Sequence, residues 1–175
     1  MNIQAVITAI NQMESDGVID RYAIGGAVGA TFYLEPVSTL DVDVFVIFRS
    51  EPGTFLVSPK PVFDYLRERG GIMDGEYVVL GGWPVQFLPS TGPLVDEALS
   101  EAIVHDVEGT PTRVFTPEHL AAIALETGRA KDKARLLQFL ESRTFDRTRF
   151  QNIVDRHSLT PAWDRFQRQF LSESE

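Results

Sequence analysis

The segment Val42-Asp43-Val44-Phe45-Val46-Ile47-Phe48 constrains this chain most strongly. Its β-branched and aromatic content reads as a strand. Side chains alternate between the two faces of a strand, so Asp41 and Asp43 share one face, their Cα atoms roughly 6.5–7 Å apart. Val42 and Val44 point the other way, into a core. Two carboxylates side by side at the edge of a core repel each other and are costly to desolvate. A divalent cation is the simplest compensation. Hard oxygen ligands suit magnesium, which one or two carboxylates commonly hold together with substrate phosphates. Asp41 and Asp43 are therefore candidate ligands for Mg2+ or Mn2+.

Gly25-Gly26, preceded by Tyr22-Ala23-Ile24, stands ahead of Asp41 with fourteen residues in between. A glycine pair that ends a strand and opens a helix lets the backbone approach a ligand closely. Its amides can join those of a helix N-terminus in an anion site. The dinucleotide spacing Gly-x-Gly-x-x-Gly is absent. Glycine pair and aspartate pair, in this order within one short unit, describe a phosphate cradle facing a metal clamp.

The remaining pattern is mixed to about residue 115 and helical afterwards. Ile3, Val6, Ile10 and Met13 recur at helical spacing, so 2–15 reads as an amphipathic helix. Residues 27–34 read as a short buried helix. Glu51-Pro52-Gly53 breaks the 42–48 strand. Ser58-Pro59 starts a helix to about residue 69. Gly81-Gly82 joins two strands in a hairpin. A helix over 93–102 and one or two short strands over 102–116 follow. Thr116-Pro117 caps a helix that Gly128 ends. Three more helices follow, with apolar residues at 150, 153, 154 and 163, 166, 170. The expected fold class is α/β (α+β): a mixed sheet with flanking helices over residues 1–115, and a helical section over 116–175 packed on it.

The 175 residues contain no cysteine, which excludes disulfides and thiolate chemistry. The first residues lack a signal-peptide pattern. No apolar run approaches the ~20 residues of a membrane span. A cytoplasmic location is the expectation. The net charge of −9 argues against nonspecific nucleic-acid binding by the whole surface. Residues 1–100 hold 13 acidic and 5 basic side chains, whereas the stretch from Arg129 to Arg168 holds ten basic and five acidic ones.

Residues 24–46 resemble the signature of the nucleotidyltransferase superfamily, the DNA polymerase β-like fold. The matching elements are Ile24-Gly25-Gly26, the spacer, and Asp41-Val42-Asp43-Val44. The long spacer and the Gly-Gly form resemble the AbiEii-like abortive-infection toxin branch. Thr39 matches a threonine of that branch two residues before the first aspartate. Val37 departs from it, standing where an arginine is expected. "GRAKDKARLLQFLES" (128–142) resembles the branch's helical Lys-Asp segment. The resemblance implies a nucleoside triphosphate substrate, with Gly25, Gly26 and Thr39 near it, Lys131 and Arg135 offsetting phosphate charge, and an RNA end such as tRNA or a protein hydroxyl as acceptor. It also implies an antitoxin protein as partner.

The resemblance further implies a third carboxylate between hydrophobic residues on a neighbouring strand. The matching position is Gln86, between Val85 and Phe87. An amide cannot act as a base and is a weaker metal ligand. Three readings stay open: nucleotide binding without efficient transfer, transfer with two carboxylates and a solvent base, or a carboxylate supplied by Asp74, Glu76 or Asp96. The histidines at 105, 119 and 157 lack metal-site spacing. Trp83 and Trp163 read as packing anchors. Two functions follow: a metal-dependent nucleotidyltransferase, or a degenerate nucleotide- or RNA-binding module.

Overall fold

The computed structural model describes residues 1–50 and 52–172. Glu51, within the expected Glu51-Pro52-Gly53 break, lies outside them. The elements run α1 (Ile3–Ser15), β1 (Ile19–Ile24), α2 (Gly26–Ala30), β2 (Val42–Phe48), α3 (Lys60–Glu68), β3 (Ile72–Asp74), β4 (Tyr77–Leu80), β5 (Trp83–Pro89), α4 (Pro93–Ser100), β6 (Ile103–Val107), β7 (Thr110–Val114), α5 (Pro117–Thr127), α6 (Ala130–Glu141), α7 (Arg147–Arg156) and α8 (Thr160–Phe170).

One mixed sheet forms from these strands in the order β3-β4-β5-β2-β1-β7-β6. β2 is antiparallel to β1 and parallel to β5. β1 and β7 are parallel. The end of β1, the start of β2 and the start of β5 therefore meet at one edge of the sheet. That edge carries Gly25, Asp43 and Gln86.

Strand alternation divides the core in two. Val42, Val44, Val46 and Val85 are fully or almost fully buried with Val6, Ile7, Ile10 and Met13 of α1 and Val62 and Leu66 of α3. On the opposite face Ala23 and Phe115 join α4–α8 in a second cluster, against which Phe45 packs. The C-terminal helices thus share a core with the sheet. Phe150, Ile153, Val154, Trp163 and Phe166 are buried there, as their helical spacing requires.

Local chemistry sets the helix ends. Thr116 Oγ1 accepts from the His119 amide at the start of α5, and Gly128 ends that helix at φ 67°. At the start of α6 the Asp132 carboxylate accepts from the Arg129 backbone amide at 3.3 Å and from the Arg129 guanidinium. β3 has three residues with Ile72 exposed, too short for an alternating pattern to reveal.

Candidate active site

A cleft of about 600 Å³ opens at the edge where β2 and β5 begin. One wall carries Thr39, Leu40, Asp41, Asp43, Tyr77 and Gln86. The other is α6 with its N-cap: Arg129, Lys131, Ala134, Arg135 and Gln138. Six residues expected at the site from the sequence (Thr39, Asp41, Asp43, Gln86, Lys131 and Arg135) line this one space. Arg129 and Tyr77 line it as well and were not expected there. Arg129 lies inside the Lys-Asp segment, two residues before Lys131, and Tyr77 opens a strand; neither carried a functional signal of its own.

The aspartate wall is built by strand register. Asp43 pairs with Gln86 across the parallel ladder, between the pairs Val42–Val85 and Val44–Phe87. Those four apolar residues lie in the same core, so Asp43 and Gln86 share the opposite face. The Val78–Val85 pair places Tyr77 next to Gln86 on that face. Burial, and then the neighbouring Asp41 charge, push the Asp43 carboxyl above the usual aspartate range. Lys131, Arg129 and Arg135 act against this shift across the cleft. Burial, followed by the charges of Asp41, Glu76 and Asp43, likewise raises the Tyr77 hydroxyl.

Thr39 Oγ1 donates to the Asp41 carbonyl at 3.1 Å, fixing the chain just before β2. The glycine pair supports the site from underneath. The Gly25 amide donates to the Asp43 carbonyl at 3.0 Å, so that N–H ties the turn to the strand. Ala27, the next residue after the pair, lines the cleft.

The basic wall rests on a buried carboxylate. Asp132 is 2% exposed; it accepts from Arg129 Nε at 2.6 Å and lies 3.6 Å from Arg135 Nη1. Burial lowers the Arg135 guanidinium below its usual range, and Asp132 acts in the opposite direction. Asp132 thus aims two guanidinium groups at the cleft, with Lys131 beside them.

The three alternative carboxylates separate. Glu76 Oε2 accepts from Gln86 Nε2 at 2.9 Å. Asp74 lies across the hairpin from Tyr77 and is exposed. Asp96 is on α4, beyond the end of β5 where Pro89 pairs with Val46, away from Asp43. Two histidines that are distant in sequence do converge elsewhere: His119 and His157 both contact Glu97 Oε2, at 3.0 and 2.8 Å. Among the described residues no group of three His, Cys, Asp or Glu side chains is arranged to hold a metal.

The donor set at Asp41 and Asp43 suits a hard divalent cation. Both groups are oxygen ligands, and the Asp43 carboxyl is raised by burial first and by the Asp41 charge second, which a bound cation would offset. The cleft can therefore hold a cation on one wall and phosphate oxygens on the other.

No family model matches the chain, and no curated protein matches it. Solved structures do. An antigenic nucleotidyltransferase-like protein from Paracoccidioides brasiliensis aligns at 15% identity with a TM-score of 0.57, over 91% of this chain and 90% of that one. ANT(2'')-Ia in complex with adenylyl-2''-tobramycin aligns at 13% identity with a TM-score of 0.48, over 100% of both chains. Among the described residues no helix is long and apolar enough to cross a membrane. With its seven-stranded mixed sheet and flanking helices, the chain has a nucleotidyltransferase-like fold.

Proposed function

We propose that this chain is a nucleotidyltransferase that moves a nucleoside monophosphate from a nucleoside triphosphate to a hydroxyl acceptor. The observation that carries this reading is the opposition of Asp41 and Asp43 to Arg129, Lys131 and Arg135 across one cleft. A triphosphate bridged to a cation needs both walls. Asp41 and Asp43 would hold Mg2+ or Mn2+; the bound cation would supply charge stabilisation at the reacting phosphate and its leaving group. Lys131 and the two arginines offset the charge of the outer phosphates. Gly25 and Gly26 allow the backbone to press close under Asp43. Thr39 holds the Asp41 backbone in register.

An RNA end, including tRNA, or a protein hydroxyl is the acceptor class we favour from the likeness to the abortive-infection branch. The same likeness motivates a toxin role with an antitoxin partner.

Titration calorimetry with ATP and MgCl2 tests the reading. Wild-type protein should bind the Mg–ATP complex. Asp41→Asn with Asp43→Asn should reduce that affinity by about 100-fold or more, beyond the 10–100-fold typical of losing a partner of a ligand. Unchanged affinity in the double variant would overturn the site.

A further inference from the structure

We infer that Glu76 is the group that takes the proton of the acceptor hydroxyl, and that Gln86 is the residue that positions it. This rests on the nucleotidyl-transfer reading above. Three observations carry it. Gln86 pairs with Asp43 on the adjacent strand and lines the cleft, so its amide stands at the reacting wall. That amide donates to Glu76 Oε2 at 2.9 Å. Glu76 sits in the two-residue loop between β3 and β4, with Gly75 at φ 61°. A hairpin loop this short holds its residues tightly, so Glu76 does not depend on a long flexible segment for its place.

The identity of residue 86 then has a chemical reason. A glutamate there would repel Glu76. Glutamine keeps the shape, donates a hydrogen bond, and leaves one Glu76 oxygen for another partner. Glu76 is exposed, so an acceptor arriving from solvent can reach it, and the Gln86 that bonds it lines the cleft. Tyr77, the next residue in the chain, lines the cleft together with Asp41, Asp43 and Gln86.

The step balances without another reactant. Glu76 takes the proton from the acceptor O–H. The acceptor oxygen forms a bond to the α-phosphorus of the triphosphate. The bond from that phosphorus to the bridging oxygen breaks, and pyrophosphate leaves with the electron pair. Asp41 and Asp43 contribute charge and take no part in the proton transfer.

ATP with MnCl2 is the probe, with water as acceptor, read as pyrophosphate release. Calorimetry of Mn–ATP binding runs beside it. Glu76→Gln should slow release by about 100-fold, the low end for losing a general base, while Mn–ATP affinity stays within about twofold, since uniform binding is untouched. Glu76→Ala should be rescued by added formate in a concentration-dependent way, and Gln86→Leu should slow release with affinity intact. A purely structural role for Glu76 would show no formate rescue. Wild-type release that Glu76→Gln leaves unchanged would overturn the base and leave the transfer reading standing. Lost Mn–ATP affinity in Glu76→Gln would make Glu76 a ligand and overturn the base assignment. Wild-type protein that binds Mn–ATP but releases no pyrophosphate would overturn transfer, and the base with it.

Discussion

Gly26 holds φ 57° directly against Asp43, and a Cβ at that position would overlap Asp43 Oδ2. The glycine is therefore required twice, by its backbone conformation and by the carboxylate packed on it. The left-handed conformation alone costs a side chain about 1–2 kcal/mol. Gly26→Ala should lower the melting temperature by a few degrees for a chain of this size. It should also push Asp43 out of line and weaken Mg–ATP binding. Thermal melts and calorimetry on the same preparation check both effects. A stable variant with wild-type metal affinity would show that Asp43 swings away at no cost, and that its place is not set by the turn.

Asp43 itself should cost stability in the absence of a cation. Its folded-state carboxyl is raised, by burial first and by Asp41 second. The folded state then binds the proton more readily than the unfolded chain does. The carboxylate destabilises at neutral pH, and the penalty fades as pH falls below the ordinary aspartate value of 3.8, where both states are protonated. Asp43→Asn should raise the melting temperature of the metal-free protein at pH 7, with a gain that shrinks toward pH 3. Saturating Mg–ATP should reverse the order: at 100 times the dissociation constant, bound ligand adds about 2.7 kcal/mol to the wild type alone. Melts with and without ligand at three pH values decide the matter. A less stable metal-free variant at pH 7 would show that Lys131, Arg129 and Arg135 already compensate the charge.

Much of this architecture was legible in the residues, and the failures have physical reasons. β2 occupies the span that its valines predict, and the Gly81-Gly82 hairpin joins β4 to β5 as expected. Asp41, Asp43, Lys131 and Arg135 reach one cleft because a local motif and a helix start each carry their own signal. What escaped depends on register and tertiary packing. The resemblance put Gln86 on a strand neighbouring Asp43, as the register has it, but no spacing rule shows that it bonds Glu76, since that needs the path of the β3–β4 loop. Nothing in the sequence marks Asp132 for burial, yet it is buried between two arginines. His119 and His157 are separated by helices that only packing brings together at Glu97.

Asp132 and Lys131 should separate support from contact. Lys131→Ala removes a charge proposed to meet the outer phosphates, so ATP affinity should fall about tenfold or more while AMP affinity changes little; a tenfold loss is 1.4 kcal/mol. Asp132→Asn leaves Lys131 in place but takes the ionised acceptor from Arg129 and Arg135. Hydrogen bonds to charged groups contribute about 1.5–3 kcal/mol each, so this variant should melt lower as well as bind ATP more weakly. Calorimetry with ATP and AMP, paired with thermal melts, distinguishes the two. Equal losses for ATP and AMP in Lys131→Ala would place that lysine away from the outer phosphates.

A separate acid-sensitive joint lies at Glu97. Its Oε1 accepts from Arg156 Nε at 2.7 Å, and its Oε2 faces His119 Nε2 at 3.0 Å and His157 Nε2 at 2.8 Å. These contacts tie α4 to α5 and to the end of α7. Burial acts to raise the Glu97 carboxyl, but the hydrogen bonds from Arg156, His157 and His119 override it and hold it at about 2, against an ordinary 4.5. A depressed carboxyl stabilises the fold above its unfolded value, and that contribution is lost as pH falls from 4.5 toward about 2. His119 acts in the same direction. It is fully buried, with Nδ1 2.7 Å from Thr116 Oγ1, and burial lowers its pKa from 6.5 despite the Glu97 charge. Its contribution is present above 6.5 and fades as the pH drops. The wild-type melting temperature should therefore fall from pH 7 to pH 3 in two overlapping stages. Glu97→Gln should melt several degrees lower at pH 7, since one amide oxygen cannot serve three donors and its NH2 group opposes one of them. Its curve should lose the lower stage and run flatter below pH 4.5. Wild-type and Glu97→Gln curves that stay parallel over that interval would show that the carboxylate is not the acid-sensitive element, and His119 alone would then account for the decline.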